Sequence, residues 1–261
     1  MKVGLIGCGN IGEFLLQSIN IENLLSGAEI ISVFSRRSEV ADRIAKKYNT
    51  TAYGDMESFL NSGIDTVVEA ATVEAVREYG LKILESGADL IVSSIGAMAD
   101  NSFLEAVQEV CDEKNVTVLL PPGAVGGLDL LKSAKAMGEL ESVSLTTRKP
   151  PTALPTGEVL EAEMTLFAGP ASEAIKKFPK NINVAIALSL AGLGPDRTDV
   201  KIIADPNASK NSHTIEAKGS FGSFKVEIEN NPMPNNPKTS FLAALSVLSI
   251  LQNKDRSVQI G

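Results

Sequence analysis

The fold is decided by the stretch KVGLIGCGNIG at residues 2–12. It opens with a short apolar run typical of a buried strand, continues as the glycine pattern GxGxxG and leads into a helical pattern. Glycines at these points permit a tight turn, let a pyrophosphate approach the backbone, and allow the helix to pack closely on the strand. The helix start offers backbone N–H groups to an anion. The stretch therefore predicts a dinucleotide site, with a glycine-rich structural turn as the alternative; the candidate residues are Gly7, Gly9, Asn10, Ile11 and Gly12.

The first half of the chain alternates β-branched runs with helical patterns, which is typical of βαβ units and a parallel sheet. Helices are predicted at about 11–21, 39–47, 73–86 and 102–114. Strands are predicted at Lys2–Ile6, Glu29–Phe34, Thr51–Tyr53, Thr66–Glu69, Leu90–Ser93 and Val116–Leu120. We therefore expect residues 1–121 to form a dinucleotide-binding domain with a doubly wound parallel sheet of the Rossmann type.

The pattern changes after residue 121. A helix is predicted at about 127–137, followed by extended segments in close succession at 142–148, 161–167, 200–204, 213–218 and 223–229. Such spacing favours an α+β domain with a mixed or antiparallel sheet. We expect residues 122–236 to form a substrate, catalytic and dimerisation domain, with a C-terminal helix within 237–261 packing back on the first domain.

Composition and charge limit the partners. The formal net charge of −8 argues against nucleic acid or an anionic membrane, and the longest apolar run is too short for a bilayer. The two cysteines form no metal-ligand or disulfide pattern, so no metal is expected. The first residues run directly into the glycine turn, which indicates no signal peptide and a cytoplasmic protein.

The end of the second predicted strand bears on the choice of cofactor. NAD-selective sites usually carry Asp or Glu about 20 residues after the glycines, where the ribose 2′-hydroxyl is bound. Here the strand ends in Ser35, Arg36 and Arg37, a hydroxyl followed by two cations that suit a 2′-phosphate. NADP is therefore favoured or at least tolerated. The alternative is that both arginines are solvated at a helix start.

His213 is the only histidine of the chain. A lone histidine is more often structural or on the surface than catalytic. However, it lies in the second predicted domain at the start of a strand, and an imidazole can exchange protons near neutral pH. We predict that His213 is the general base.

The sequence predicts an anion site at residues 236–240, where we expect the last helix to start. Asn236 and Pro237 resemble an N-cap and a first helical residue, which would leave the next amides free. Lys238, Thr239 and Ser240 are therefore candidate substrate-binding residues. A well-capped helix with a solvated lysine is the alternative. The small residues of the loop at 121–127 follow the sixth strand, where they would let a nicotinamide ring lie against the backbone or serve as a domain hinge.

Together these segments resemble the L-aspartate dehydrogenase family over nearly the whole chain. Motifs other than the glycine pattern make this resemblance specific. The segments are GLIGCGNIG at 4–12, PPGAVGGLD at 121–129, FPKNINVAIALSLAG at 178–192, SHTIEAKGSFG at 212–222 and ENNPMPNNPKTSFLAALSVL at 229–248.

The resemblance implies NAD(P)-dependent oxidative deamination of L-aspartate to iminoaspartate, which hydrolyses to oxaloacetate and ammonia. It also implies a homodimer, a role in supplying iminoaspartate to NAD biosynthesis, a catalytic role for His213, and nicotinamide-side contacts at Ala124 and Asn183. Rival hypotheses are a homoserine dehydrogenase, a dihydrodipicolinate reductase-like enzyme or a sugar oxidoreductase. The loop at 93–97 lacks the Lys-Pro typical of sugar enzymes. A non-catalytic dinucleotide sensor is the non-enzyme alternative; a regulator would need a DNA-binding module or basic patch, and the sequence shows neither.

Overall fold

The computed structural model describes residues 1–154, 160–178, 183–234, 236–254 and 256–258. The chain divides into two compact units. We refer to Met1–Pro121 with Ala244–Ile260 as unit 1, and to Pro122–Ala243 as unit 2.

Unit 1 contains a parallel sheet of six strands in the order β3-β2-β1-β4-β5-β6. This is the order of a doubly wound dinucleotide-binding fold, in which the winding reverses between β1 and β4. Ligands bind in such sheets outside the carboxyl ends of the strands at that reversal. The strands are β1 (Lys2–Ile6), β2 (Glu29–Phe34), β3 (Thr51–Tyr53), β4 (Thr66–Glu69), β5 (Asp89–Val92) and β6 (Val118–Leu119).

The helices of unit 1 begin and end at residues suited to these positions. Thr72 and Asp100 accept N-terminal amide hydrogen bonds, while Asn49 and Asn115 adopt left-handed conformations after helix ends. A π-helical turn, Gln17–Ile21, extends the first helix. The helices are α1 (Asn10–Leu16), α2 (Ser38–Tyr48), α3 (Met56–Leu60), α4 (Val73–Glu85) and α5 (Asn101–Lys114), with a 3₁₀ turn at Ile95–Ala99.

Unit 2 contains a five-stranded mixed sheet in the order β11-β10-β7-β9-β8. The β7–β9 pair is parallel, and the other pairs are antiparallel. Its strands are β7 (Leu140–Lys149), β8 (Met164–Pro170), β9 (Thr198–Ala204), β10 (Asn211–Gly219) and β11 (Gly222–Asn230). Helix α6 (Leu128–Lys135) packs on β7, while α7 (Ala171–Lys177) and α8 (Asn183–Ala191) pack on β9. Alternate residues of β7 and β10 are buried, as a sheet with one covered face requires.

The predicted fold class is confirmed, but the predicted helix start at Asn236 is wrong. Residues of that segment form a hairpin of β12 (Pro232–Met233) and β13 (Asn236–Ser240). Helix α9 (Phe241–Asn253) begins only after it. Because antiparallel pairing with β12 satisfies the backbone here, the Asn-Pro pattern does not act as a helix cap.

Helix α9 belongs to unit 1 from Ala244 onward. Its Val247 and Leu251 are buried in the same apolar cluster as Leu5, Leu15 and Ile30. The apolar pattern of this helix therefore reflects packing in the core of unit 1.

Candidate functional site

The glycine loop between β1 and α1 requires glycine at two of its positions. Gly7 has φ +104°, and a Cβ there would lie 2.5 Å from the carbonyl oxygen of Ala70. A Cβ at Gly12 would lie 2.1 Å from the oxygen of Gly7. At Gly9, by contrast, a Cβ would meet no protein atom within 4 Å, so glycine there leaves space for a ligand at the loop. These are the separate roles that the sequence pattern predicts.

A cavity of about 460 Å³ opens beside this loop. It lies at the carboxyl ends of β1, β2 and β4, the expected ligand position of a doubly wound sheet. Apolar side chains and backbone form most of its wall, and the arginines lie at the end of β2. The lining residues are Ile6, Gly7, Cys8, Gly9, Phe34, Ser35, Arg36, Arg37, Ala70, Ala71, Thr72, Ala75 and Tyr79. The backbone, the open Gly9 and the cations fit a dinucleotide.

The charged end of the cavity contains both predicted arginines. Arg36 and Arg37 are exposed, and the amide of Arg37 donates to the hydroxyl of Ser35 over 3.3 Å. Glu74 lies within electrostatic range of Arg36 and reduces its positive potential. Tyr79 packs edge-to-face on Phe34 in the same wall, with ring centroids 5.4 Å apart.

A second group of polar residues lies on the buried face of the sheet in unit 2. His213 on β10 pairs with Thr147 on β7, and Thr147 Oγ1 lies 3.0 Å from His213 Nδ1. Lys149 is two residues along β7 and is buried on the same face. His213 is 5% exposed and Lys149 is 9% exposed. We call these three residues the polar trio; elsewhere this face is largely apolar, with Val143, Leu145, Ile215 and Ala217.

Burial lowers the pKa of both basic groups of the trio. Burial, with the charge of Lys149 as a smaller contribution, lowers the pKa of His213 to about 3. Burial also lowers the pKa of the Lys149 ammonium. Both shifts arise because a charged form loses hydration in the interior. His213 is therefore a neutral imidazole at physiological pH.

Arg148, between Thr147 and Lys149, has a different role. It pairs with Asp205 over 2.7 Å and with Glu163. These two carboxylates balance its charge, whereas Lys149 lies beside the imidazole. The positive charge of Lys149 lies within electrostatic range of His213 on the same buried face.

The structure brings Ala124 into a buried hydrogen-bonded chain. Asn230 donates to the Ala124 carbonyl over 3.0 Å, and Ser240 Oγ donates to Asn230 Oδ1 over 2.6 Å. Ser240 lies in strand β13, and through Asn230 it supports the loop that contains Ala124. Asn236 donates to Thr239 Oγ1 over 2.8 Å.

Two further residues of unit 2, Asn183 and Lys238, were predicted to bind the cofactor and the substrate. Asn183 is the exposed first residue of α8, and the four preceding residues of its motif, 179–182, lie outside the described residues. The side chain of Lys238 also lies outside the described part of the chain. No helix start supports the predicted anion site, since 236–240 is a strand.

Sequence reasoning missed Lys149. Alternate residues of β7 are buried, namely Val143, Leu145, Thr147 and then Lys149. A lysine at a position where the alternation predicts a buried side chain is the signal that could have identified it, because lysine is almost never fully buried unless paired.

The described ranges lack two features that would have pointed to another class of protein. They contain no group of three or more His, Cys, Asp or Glu side chains arranged to hold a metal ion. None of their helices has the length and apolarity needed to cross a bilayer.

The fold and the glycine-loop cavity define a class, the oxidoreductases that use a nicotinamide dinucleotide. Family profiles agree: "Homoserine dehydrogenase, NAD binding domain" matches residues 7–121 and "Aspartate dehydrogenase, C-terminal" matches residues 129–254. An L-aspartate dehydrogenase of Methanosarcina mazei is 42% identical, and one of Methanosarcina barkeri is 41% identical. Each match covers 100% of this chain and 99% of the relative. The chain belongs to the L-aspartate dehydrogenase family.

A solved structure gives the same result. The crystal structure of aspartate dehydrogenase from Thermotoga maritima matches with a TM-score of 0.83 and 33% identity, covering 100% of this chain and 99% of that one. A putative myo-inositol dehydrogenase of Sinorhizobium meliloti matches with a TM-score of 0.57 at 15% identity, which shows a shared fold alone.

Proposed function

We propose that the protein oxidises L-aspartate to iminoaspartate with NADP or NAD, and that hydrolysis of the imine gives oxaloacetate and ammonia. The polar trio carries this proposal. It places a neutral imidazole beside a buried ammonium, which suits a substrate that must lose a proton and carries two carboxylates. The relatives named above, which are called L-aspartate dehydrogenases, support the choice of substrate.

His213 is the proposed general base. It takes a proton from the substrate ammonium, directly or through one water, so that the nitrogen lone pair can form the C=N bond as hydride leaves Cα. When bound, the nicotinamide cofactor accepts that hydride. His213 then helps a water molecule to add to the imine. The proposed tautomer is the one whose Nδ1–H donates to Thr147 Oγ1, because it leaves the lone pair used in these steps on Nε2.

Lys149 is the proposed partner of one substrate carboxylate. A charge-assisted hydrogen bond from an ammonium in a dry site is stronger than one in water. The bound carboxylate also offsets the lysine charge beside His213. The pKa of the imidazole then rises from its low value in the free protein, which improves the base when substrate is present.

Unit 1 is proposed to bind the dinucleotide and unit 2 to bind aspartate. We propose that Gly7, Gly9, Asn10, Ile11 and Gly12 hold the pyrophosphate. Ser35, Arg36 and Arg37 would bind the 2′-phosphate of NADP, so that NADP is used at least as well as NAD. Ala124 and Asn183 remain proposed contacts of the nicotinamide side, and Lys238, Thr239 and Ser240 remain further candidates for substrate binding.

A homodimer is proposed from family and architecture. The edge strand β11 of the five-stranded sheet spans nine residues, which is enough backbone for pairing with another chain. Light scattering during size-exclusion chromatography measures the mass of the particle. A mass of one chain at working concentration would contradict this part.

The cellular role is proposed to be cytoplasmic supply of iminoaspartate to NAD biosynthesis. Complementation of a strain that lacks its own source of iminoaspartate tests it. Growth without added nicotinate is expected with the gene, and an empty vector is the control. Failure of a catalytically active protein to restore growth would contradict the role and leave the activity standing.

The deciding experiment measures reduced nicotinamide and released ammonia together. Purified protein is given L-aspartate with NAD⁺ or NADP⁺, and L-homoserine is the comparison substrate. Equal amounts of both products are expected with aspartate. Reduction without ammonia on homoserine would favour a homoserine dehydrogenase. Binding of NADPH without turnover of either substrate would favour the sensor.

A further inference from the structure

Glu69, the last residue of β4, is a buried carboxylate outside the mechanism above. It is 1% exposed. Its two oxygens accept hydrogen bonds from the amide of Ala71 over 2.7 Å, the amide of Ser94 over 2.9 Å and the hydroxyl of Ser94 over 2.9 Å. One side chain therefore connects the loop after β4 with the loop after β5.

The loop after β4 forms one wall of the glycine-loop cavity. Ala70, Ala71 and Thr72 all line it. The Ala70 carbonyl is the atom that a Cβ on Gly7 would strike, and Ala70 N donates to the Ile6 carbonyl over 2.8 Å. The loop thus packs against the glycine turn, and a shift of either would change the shape of the cavity.

A carboxylate is an unusual choice for connecting two loops. Its burial raises the pKa of Glu69, while the hydrogen bonds from Ser94 and Ala71 act in the opposite direction. An ionised carboxylate accepts at both oxygens and presents no donor, whereas a glutamine would direct an NH₂ group at one of the same donors. A glutamine in the same place would keep at most the two hydrogen bonds to Oε1 and lose the one from the Ser94 amide to Oε2, while the buried carboxyl group costs desolvation that a purely apolar contact would avoid.

We propose that Glu69 is a positioning residue for the cofactor: it fixes the wall formed by Ala70, Ala71 and Thr72 against the glycine turn and thereby sets dinucleotide affinity without touching the ligand. The proposal depends on cofactor binding alone, so it can fail or succeed whatever the substrate is.

The test measures the dissociation constant of NADPH by its fluorescence in wild type and Glu69→Gln. Hydrogen bonds to a charged group are worth about 1.5–3 kcal/mol, so a weakening of roughly 10- to 100-fold is expected. If aspartate is turned over, its KM and the kcat at saturating cofactor should stay near wild type.

Val67→Ala is the matched control for lost stability. Val67 is fully buried on the same strand, and its apolar side chain has no group that could hydrogen-bond to either loop. At a comparable loss of Tm, Val67→Ala should keep NADPH affinity. Unchanged affinity in Glu69→Gln, or an equal loss in Val67→Ala, would overturn the proposal.

Ser94→Ala keeps the test decisive if Glu69→Gln does not fold. It removes one of the three donors and should weaken NADPH binding by about 3- to 10-fold, as a single lost hydrogen bond of about 0.5–1.5 kcal/mol would. Wild-type affinity in Ser94→Ala would then overturn the proposal.

Discussion

The glycine-loop cavity of unit 1 and the polar trio of unit 2 are built in opposite ways. The cavity's glycine loop depends on backbone and on missing side chains, and it comes from six consecutive residues, 7–12. The trio consists of side chains from two strands, with His213 and Thr147 66 positions apart. Phosphates are bound by N–H groups that a local turn can arrange, whereas a proton acceptor needs an environment that only packing creates.

The cations of the two regions also differ in their exposure to solvent. Arg36 and Arg37 are exposed, while Lys149 is buried beside an imidazole. An exposed cation acts through a water-screened field, and a buried one acts strongly but at a cost in hydration. We therefore expect substitutions in the trio to have larger effects on activity than substitutions in the arginine pair.

The largest effect is expected from His213→Asn. Asparagine can keep a hydrogen bond to Thr147 but cannot act as the base. Loss of a positioned general base typically lowers turnover about 10²- to 10⁴-fold, and the affinity for NADPH should stay nearly unchanged. Turnover and NADPH affinity are measured on the same preparation, with Ser212→Ala on the same strand as the control. Near-normal turnover would end the proposed role of His213.

Lys149→Met should have the next largest effect. Loss of one charge-assisted contact, worth about 1.5–3 kcal/mol, should lower kcat/KM for aspartate roughly 10- to 100-fold. We assign Lys149 to the β-carboxylate of aspartate, which L-alanine lacks, so kcat/KM for L-alanine should change much less. The control is Lys201→Met, which removes an exposed lysine from the adjacent strand β9. Equal losses for both substrates would contradict binding of the β-carboxylate by Lys149.

Arg36→Asp tests the exposed cation pair and should have a smaller effect. Replacing the cation with a carboxylate should lower the ratio of kcat/KM for NADP over that for NAD by about 10-fold, since an exposed charge pair is weakened by solvent. Lys46→Ala, an exposed change in the helix α2 that follows the arginine pair, is the control. An unchanged ratio would mean that Arg36 does not bind the 2′-phosphate.

The last prediction concerns the pH dependence of stability and not activity. The folded-state pKa of His213 is about 3, below the ordinary value of 6.5 in the unfolded chain. Between these pH values His213 is protonated in the unfolded chain but not in the native state. The free energy of unfolding therefore falls as pH falls from about 6.5 towards 3. The slope is at most about 1.4 kcal/mol per pH unit. Urea unfolding of wild type and His213→Asn should give a difference in unfolding free energy that changes with pH in this window and is constant above it. A difference that is constant throughout would contradict the assigned pKa.

Much of unit 1 was predictable because its signals are local. Alternating strands and helices predicted the six-stranded sheet, and the glycine pattern predicted the turn after β1. The helix at Asn236 was mispredicted because Asn-Pro suits a cap and an extended strand equally well. Pairing with Pro232–Met233 decided between them.

The sequence by itself determined the parallel sheet, the glycine turn, the arginine pair and the candidate histidine, since each depends on residue types or short spacings. The tertiary structure decided which groups surround that histidine. Register between β7 and β10 pairs Thr147 with His213, and alternation along β7 brings Lys149 to the same buried face. It likewise joined Glu69 to Ser94 across two loops. Strand pairing and burial link residues far apart in the chain, and pKa values follow from those neighbours, so no local pattern could have specified them.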